Sequence, residues 1–394
     1  MLKSADALAA AGHDVRVVAT RHEPWAVEAD VDVRSRRSWP LTVVDYRRGA
    51  GATYWRSGIR YRASRLLSAA IGPGRLPLAL AARAFGRVHP ELVQAASAEG
   101  ADLIYGGTTG GLAAVAVAAR RCGARYALDL EDFHSGESEA SDHLLSHGLA
   151  RRIEDRILGQ AAFLTTSSEG IAQAYHESYG VAPNVIHNTF DLPPTAPDFS
   201  RARPDVLRLY WFSQTIGRGR GLEDAITAMG VADVPGELTL RGRPVVGYLD
   251  GLRQLARARA PRLRVLHEPP APPDAMVDLA RGFDVGLALE QVDVKNHQIA
   301  QSNKVFTYLL AGVAIAMTDT PGQHPLGVDV GAAAGLVPPG DVVALASVFS
   351  RWAREPGTLD AARRAAWDAA RRRWHWQHAD ERGLLYRLVS EAAR

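Results

Sequence analysis

Cysteine is almost absent. Cys122 is the only one in 394 residues, so no internal disulfide can form, and a reducing, cytoplasmic setting is the expectation. No secretory leader pattern is visible, and no apolar run is long enough to span a bilayer. The Walker A pattern GxxxxGK[ST] and the dinucleotide fingerprint GxGxxG are both missing, which removes the commonest phosphate-binding signatures. Histidines are scattered without ligand spacing, and Cys122 has no histidine partner at catalytic or zinc spacing; no metal and no cofactor are expected. Lysine is scarce against arginine, as in proteins from GC-rich, bacterial-type genes.

What remains is an ordinary globular composition, with 47% hydrophobic residues, 23% charged residues and a net charge of +3. The length suits two domains. Mild basicity favours anionic small molecules or an acidic membrane surface, and no nucleic-acid module appears. Strands and helices alternate, which predicts parallel sheets covered by helices. Strands are read at "DVRVVAT", "ADLIYG", "ARYALDL" and "AAFLTTS", with a short one at "NVIHNTFD". The proline-rich 191–204 reads as a linker. The rhythm then restarts with "LRLYWFS", "ELTLRG", "LRVLHEPP" and "DVGLALE". A doubly wound domain begins with a strand, yet this chain opens inside a helix, "LKSADALAAAGHDV". A β-strand and a turn are therefore expected upstream of Met1.

Two segments carry anion-binding chemistry. "WFSQTIGRGRGLEDAI" places Gly217, Arg218, Gly219, Arg220 and Gly221 between a strand and a helix. Glycines allow close backbone approach, the helix N-terminus attracts anions, and guanidinium groups bind phosphate bidentately. The alternative is a solvated arginine turn. "SNKVFTYLLAGVAIAMTD" reads as helix, glycine stop and buried strand. Lys304 falls in the first turn, where the dipole disfavours a cation. A diphosphate held between Ser302, Asn303, Lys304 and the arginine loop would offset that cost, whereas a solvent-directed lysine would simply tolerate it.

"ALDLEDFHSGE" collects Asp129, Glu131, Asp132, His134 and Glu137 where a buried strand ends. A carboxylate can fix the tautomer of His134; the same residues also serve as a helix cap. The "GGTTGG" stretch at Gly106–Gly111 is either an anion cradle or a tight connection. The stretch Arg34–Arg65 mixes arginine with Trp39, Tyr46, Tyr54, Trp55 and Tyr61. It reads as a solvated irregular face or as a peripheral contact with an anionic membrane.

The arginine loop, "DVGLALE…SNKVFTYLLAGVAIAMTDTPG", "GLVPPGDVVALASVF" and "WHWQHADERGLLYRLV" resemble the C-terminal half of family-4-type (group 1) glycosyltransferases. "LAAAGHDVRVVAT", "ALDLEDFHSGE" and "NVIHNTFD" resemble the N-terminal half, in the right order over nearly the whole chain. The resemblance implies an α/β, GT-B fold: two Rossmann-like domains facing across a cleft. These would be 1–190 for the acceptor and 205–374 for the donor, with 375–394 crossing back to the first. It implies transfer of a sugar from a nucleotide-sugar to an unidentified acceptor, with retention and without a metal. Arg220, assisted by Arg218 or Gly221, would contact the donor diphosphate; Ser302, Asn303 and Lys304 would contact phosphate or sugar. His134 would face the reaction centre, and Asp132 would orient it or touch the acceptor. Thr307 and Ile299 stand where the family carries two glutamates, so Glu290 is the substitute for donor recognition. Alternatives are a GT-B epimerase or hydrolase, or a non-catalytic partner protein.

Overall fold

The computed structural model describes residues 1–394 except 25–26, 28–30, 32–34, 36, 109, 137–143 and 201–205. The chain divides into two compact units, Met1–His187 with Ala379–Arg394, and Asn188–His378.

The first unit contains β1 (Val17–Arg21), β2 (Leu41–Asp45), β3 (Leu103–Gly107), β4 (Arg125–Leu130), β5 (Leu164–Thr166) and β6 (Asn184–Val185). All of them pair in parallel, in two separate sheets ordered β1-β2 and β3-β4-β5-β6. Among the described residues no strand pairs with both β1 and β3. β4 is buried from Tyr126 to Leu128 and β5 throughout, as expected for parallel strands covered on both faces. The basic stretch is regular rather than irregular: it holds β2 and the 20-residue helix Ala52–Ile71. Arg34 lies outside the described residues. The glycines of "GGTTGG" answer to packing. A Cβ on Gly107 would stand 2.5 Å from the Asp129 carbonyl oxygen, and one on Gly111 would stand 2.3 Å from that of Gly107. Thr109 and Glu137 lie outside the described residues.

The second unit holds one six-stranded parallel sheet in the order β12-β11-β10-β7-β8-β9. Its strands are β7 (Leu207–Ile216), β8 (Gly236–Pro244), β9 (Leu263–Glu268), β10 (Val285–Ala288), β11 (Ala314–Thr318) and β12 (Ala334–Val337). Side chains alternate between two covered faces with the period of two that a strand imposes. Leu209, Trp211, Leu287 and Ala316 pack with helices Leu222–Ala232 and Val342–Arg354. Tyr210, Ala288, Ile315 and Met317 pack with helix Asn303–Ala311. The proline-rich stretch is fastened to this second face. Phe190, Leu192 and Phe199 pack against it, and Pro197 lies 2.7 Å from where a Cβ on Gly312 would be.

The chain runs from β7 outward through β8 and β9, then returns to the other side of β7 for β10 to β12. The order therefore reverses between β7 and β10, which are hydrogen-bonded neighbours. In open parallel sheets, ligands gather beyond the carboxyl ends of strands at such a reversal.

Candidate active site

Two loops leave the reversal point of the second unit. β7 runs into Gly217–Gly221 and then helix Leu222–Ala232. Gly219 and Gly221 have φ of 75° and 64°, a region that favours glycine. Gly221 is also sterically required, since a Cβ there would lie 2.5 Å from the Cβ of Leu289 at the exit of β10. The absence of that one side chain lets the arginine loop lie against Glu290.

The second loop leads from β10 to helix Asn303–Ala311, whose seat is fixed by another glycine. A Cβ on Gly286 would stand 2.3 Å from the Tyr308 ring, so the strand cedes that space to the helix. The Tyr308 hydroxyl donates to the Tyr210 carbonyl at 3.1 Å. Gly312 ends the helix in the left-handed conformation.

These two seats bring Arg220, Ser302 and Lys304 around one buried carboxylate. Arg220 Nη1 lies 3.2 Å from Glu290 Oε2. The Ser302 hydroxyl donates to Glu290 Oε1 at 2.8 Å, and Lys304 Nζ lies 3.4 Å from the same oxygen. Burial pushes the Glu290 carboxyl up, but Lys304, Arg220, the Ser302 hydroxyl and His297 outweigh it and hold the group down at about 2. Ser302 occupies the N-cap position, yet its hydroxyl makes no capping bond because it serves Glu290. The ammonium of Lys304 sits 5.4 Å above the Trp211 ring. Lys304 is thus a cation held near a helix N-terminus by one carboxylate and one aromatic face, which explains how so unfavourable a position is tolerated.

The other sequence-nominated residues are placed as follows. Arg218 is exposed and lies over the Tyr248 ring, whose hydroxyl donates to Glu223. Asn303 is exposed at the first helical position. Thr307 is fully buried in the same helix, and its hydroxyl has no hydrogen-bond partner among the described residues. Three supporting residues were not nominated. Trp211 lies within an apolar run and reads only as core. Gln323 is buried and donates to the Ala288 and Thr318 carbonyls, bracing the exits of β10 and β11. His297 lies 2.6 Å from Asp293 and is one of the groups that lower the Glu290 carboxyl.

The cluster of the first unit is built differently. β4 ends at Leu130, and the chain turns through His134–Gly136. His134 is 7% exposed. Its backbone N–H donates to the Tyr175 hydroxyl at 3.4 Å. That hydroxyl donates to Oε1 of the buried Glu154 at 2.8 Å, while Tyr179 donates to Oε2. Tyr179 also bonds Ser135 at 3.1 Å. Burial raises the Glu154 carboxyl, and the tyrosine hydrogen bonds and the nearby His134 offset this only in part. Asp132 is half-buried beside this turn, its carbonyl 3.1 Å from the Tyr175 hydroxyl. Asp129 accepts from Thr165 at 2.8 Å and is committed to the sheet.

No group of three or more His, Cys, Asp or Glu side chains suited to a metal ion occurs among the described residues, and no helix among them is long and apolar enough to cross a membrane.

Comparison with known proteins fits this architecture. Residues 1–189 match the family model of a glycosyl transferase 4-like domain. HepE of Anabaena, solved with UDP and glucose, superposes with a TM-score of 0.64 at 16% identity, over 95% of this chain and 98% of its own. A glycosyltransferase from Rickettsia africae gives 0.62 at 10% identity, covering 100% and 92%. WaaB, a lipopolysaccharide outer core galactosyltransferase solved in its apo form, gives 0.54 at 10% identity, covering 96% and 99%. No curated protein matches the chain by sequence. The chain has the GT-B fold, and its first half is similar to the glycosyl transferase 4-like domain.

Proposed function

We propose that this protein transfers a sugar from a nucleotide-sugar donor, bound at the β7/β10 reversal of the second unit, to an acceptor. The observation that carries the reading is the convergence of Arg220 and Lys304 on Glu290. Two cations from separate loops are held ready at the place where a parallel sheet binds phosphates. The donor's diphosphate takes up the charge that Glu290 now shares between them. Charge that develops on the leaving diphosphate is then stabilised by groups already in position, without a metal ion. Glu290 contributes polar recognition of the donor in place of the family's usual glutamates, with the Ser302 hydroxyl beside it. His134, oriented by the Asp132 turn, belongs to the acceptor side, and transfer proceeds with retention. A uracil nucleotide is the first donor to test, because HepE structures contain UDP, UDP with glucose, and UDP-glucose.

The test is calorimetric titration of the protein with UDP, GDP, ADP and TDP and their sugars, alongside Lys304→Ala. One nucleotide is expected to bind wild type and to weaken by about tenfold or more in the variant, the worth of one charge-assisted hydrogen bond. A folded wild type that binds none of them overturns the reading.

A further inference from the structure

We propose that the outward face of helix Ala52–Ile71 is a docking surface for an anionic lipid bilayer. The helix is inside out. A surface helix of a soluble protein turns its apolar stripe to the core and its polar residues to water. This one buries Ser57, Ser64 and Ser68 and leaves Trp55 68%, Ile59 67% and Leu66 74% exposed. At 100° per residue these three project within about 40° of one another, and Leu67, about 80° further round from Ile59, is exposed too.

The inversion is held in place by polar contacts on the inner side. Arg87 donates from Nε to the Ser57 hydroxyl at 3.1 Å and from Nη2 to the Tyr54 carbonyl at 2.7 Å, with its guanidinium 4.5 Å from the Tyr54 ring. Arg60 pairs with Glu91 at 2.6 Å, and Arg65 reaches the Ser146 hydroxyl at 3.3 Å. A helix fastened through serine, arginine and glutamate has no apolar face left for its own core. Its apolar residues are offered outward.

Charge settles the partner. No acidic residue occurs between Ala52 and Ile71, and four arginines do. Arg56 and Arg62 are exposed and flank the stripe on opposite sides, and Arg48 is exposed just ahead of the helix. The neighbouring acids Asp45 and Glu91 are already paired with Arg47 and Arg60. A convex stripe of Trp, Ile and Leu with arginines on both flanks fits a flat, fluid, anionic surface. The apolar side chains enter the acyl boundary, tryptophan sits at the headgroup level, and the guanidinium groups meet lipid phosphates. The helix lies on such a surface and does not cross it.

This surface belongs to the first unit alone and stands independently of the donor site. The experiment is co-sedimentation of the full chain with phosphatidylcholine vesicles, with and without phosphatidylglycerol. It compares wild type with a Trp55→Ser, Ile59→Ser, Leu66→Ser variant and with an Arg56→Glu, Arg62→Glu variant. Wild type is expected to bind the anionic vesicles with a salt-dependent affinity. The apolar variant should lose about tenfold or more, and the charge variant should lose the preference for phosphatidylglycerol. Because all five positions are exposed, melting temperature and nucleotide titration should not change. Wild type that stays in the supernatant, or an apolar variant that sediments as well as wild type, overturns the proposal. So does a concentration-dependent dimer that the apolar variant abolishes, since the stripe would then be covered by a second copy.

Discussion

Glu290 and Glu154 are both buried carboxylates beside a turn that leaves a parallel strand, and their surroundings drive them in opposite directions. Glu290 is ringed by Arg220, Lys304 and the Ser302 hydroxyl, and is held ionised at about 2. Glu154 is ringed by tyrosines, and burial raises it. A carboxylate among cations stores positive charge that an incoming anion can claim. A carboxylate among hydroxyls fixes the shape of the turn that carries His134. The first is suited to exchange partners, the second to keep them.

The comparison breaks most sharply in ligand affinity. Replacing Arg220 and Lys304 together by alanine is expected to reduce nucleotide affinity about a hundredfold or more by calorimetry, from two charge-assisted contacts of about 1.5–3 kcal/mol each. Glu154→Leu should leave that affinity intact. It should instead cost a few kcal/mol of stability, because the buried Tyr175 hydroxyl and the half-buried Tyr179 hydroxyl lose their acceptor at about 1–3 kcal/mol each; a shifted denaturation midpoint reports it. Equal loss of nucleotide binding in both variants would erase the distinction between the two sites.

Smaller effects appear in the pH dependence of stability. Glu290 is depressed from 4.5 to about 2, so its contribution is fully present above 4.5 and is lost as pH falls from 4.5 towards 2. Glu290→Gln should lack that loss when unfolding is followed across this window. Glu154 is raised, so its sign is reversed: its ionisation weakens the fold as pH rises through and above the ordinary carboxylate value. Glu154→Gln should therefore be relatively more stable near neutrality than in acid. The smallest expected effect is none. If Arg220 and Lys304 neutralise the diphosphate, EDTA leaves nucleotide-sugar binding unchanged, and a loss on chelation would hand that role to a metal ion.

Much of this was legible along the chain, and the reasons for the rest are physical. The alternation of strands and helices showed, and so did the pairing of the arginine loop with Lys304, because glycines and a first-turn cation are local signals. Sheet order is not local. The reversal between β7 and β10 depends on long-range pairing, so the sequence nominated Glu290 without revealing that both cations converge on it. Trp211 could not be told from core by its apolar neighbours. Glu154 left a readable trace, since it lies in register with Ala150, Ile153 and Ile157 on the buried stripe of helix Leu144–Ile157. Helix Ala52–Ile71 was hard to read as a helix because its buried positions are serines and no apolar stripe marks a core-facing side. "NVIHNTFD" became a strand of two residues because His187 turns aside to Glu381.

That last pair has a consequence for how the chain is made. Glu381 accepts the backbone N–H of His187 at 2.7 Å and pairs with its ring at 2.9 Å across 194 residues of sequence. On a ribosome, the second unit is finished before the last piece of the first has been synthesised. Closing so long a loop from random coil costs about 5 kcal/mol in chain entropy. A folded second unit removes most of that, because its own ends already meet. The Trp376 N–H donates to the Phe190 carbonyl at 2.7 Å, and the Leu192 N–H donates to Gln377 at 3.0 Å. The second unit thus holds the start and the end of its own segment together, which shortens the loop that the His187–Glu381 pair has to close.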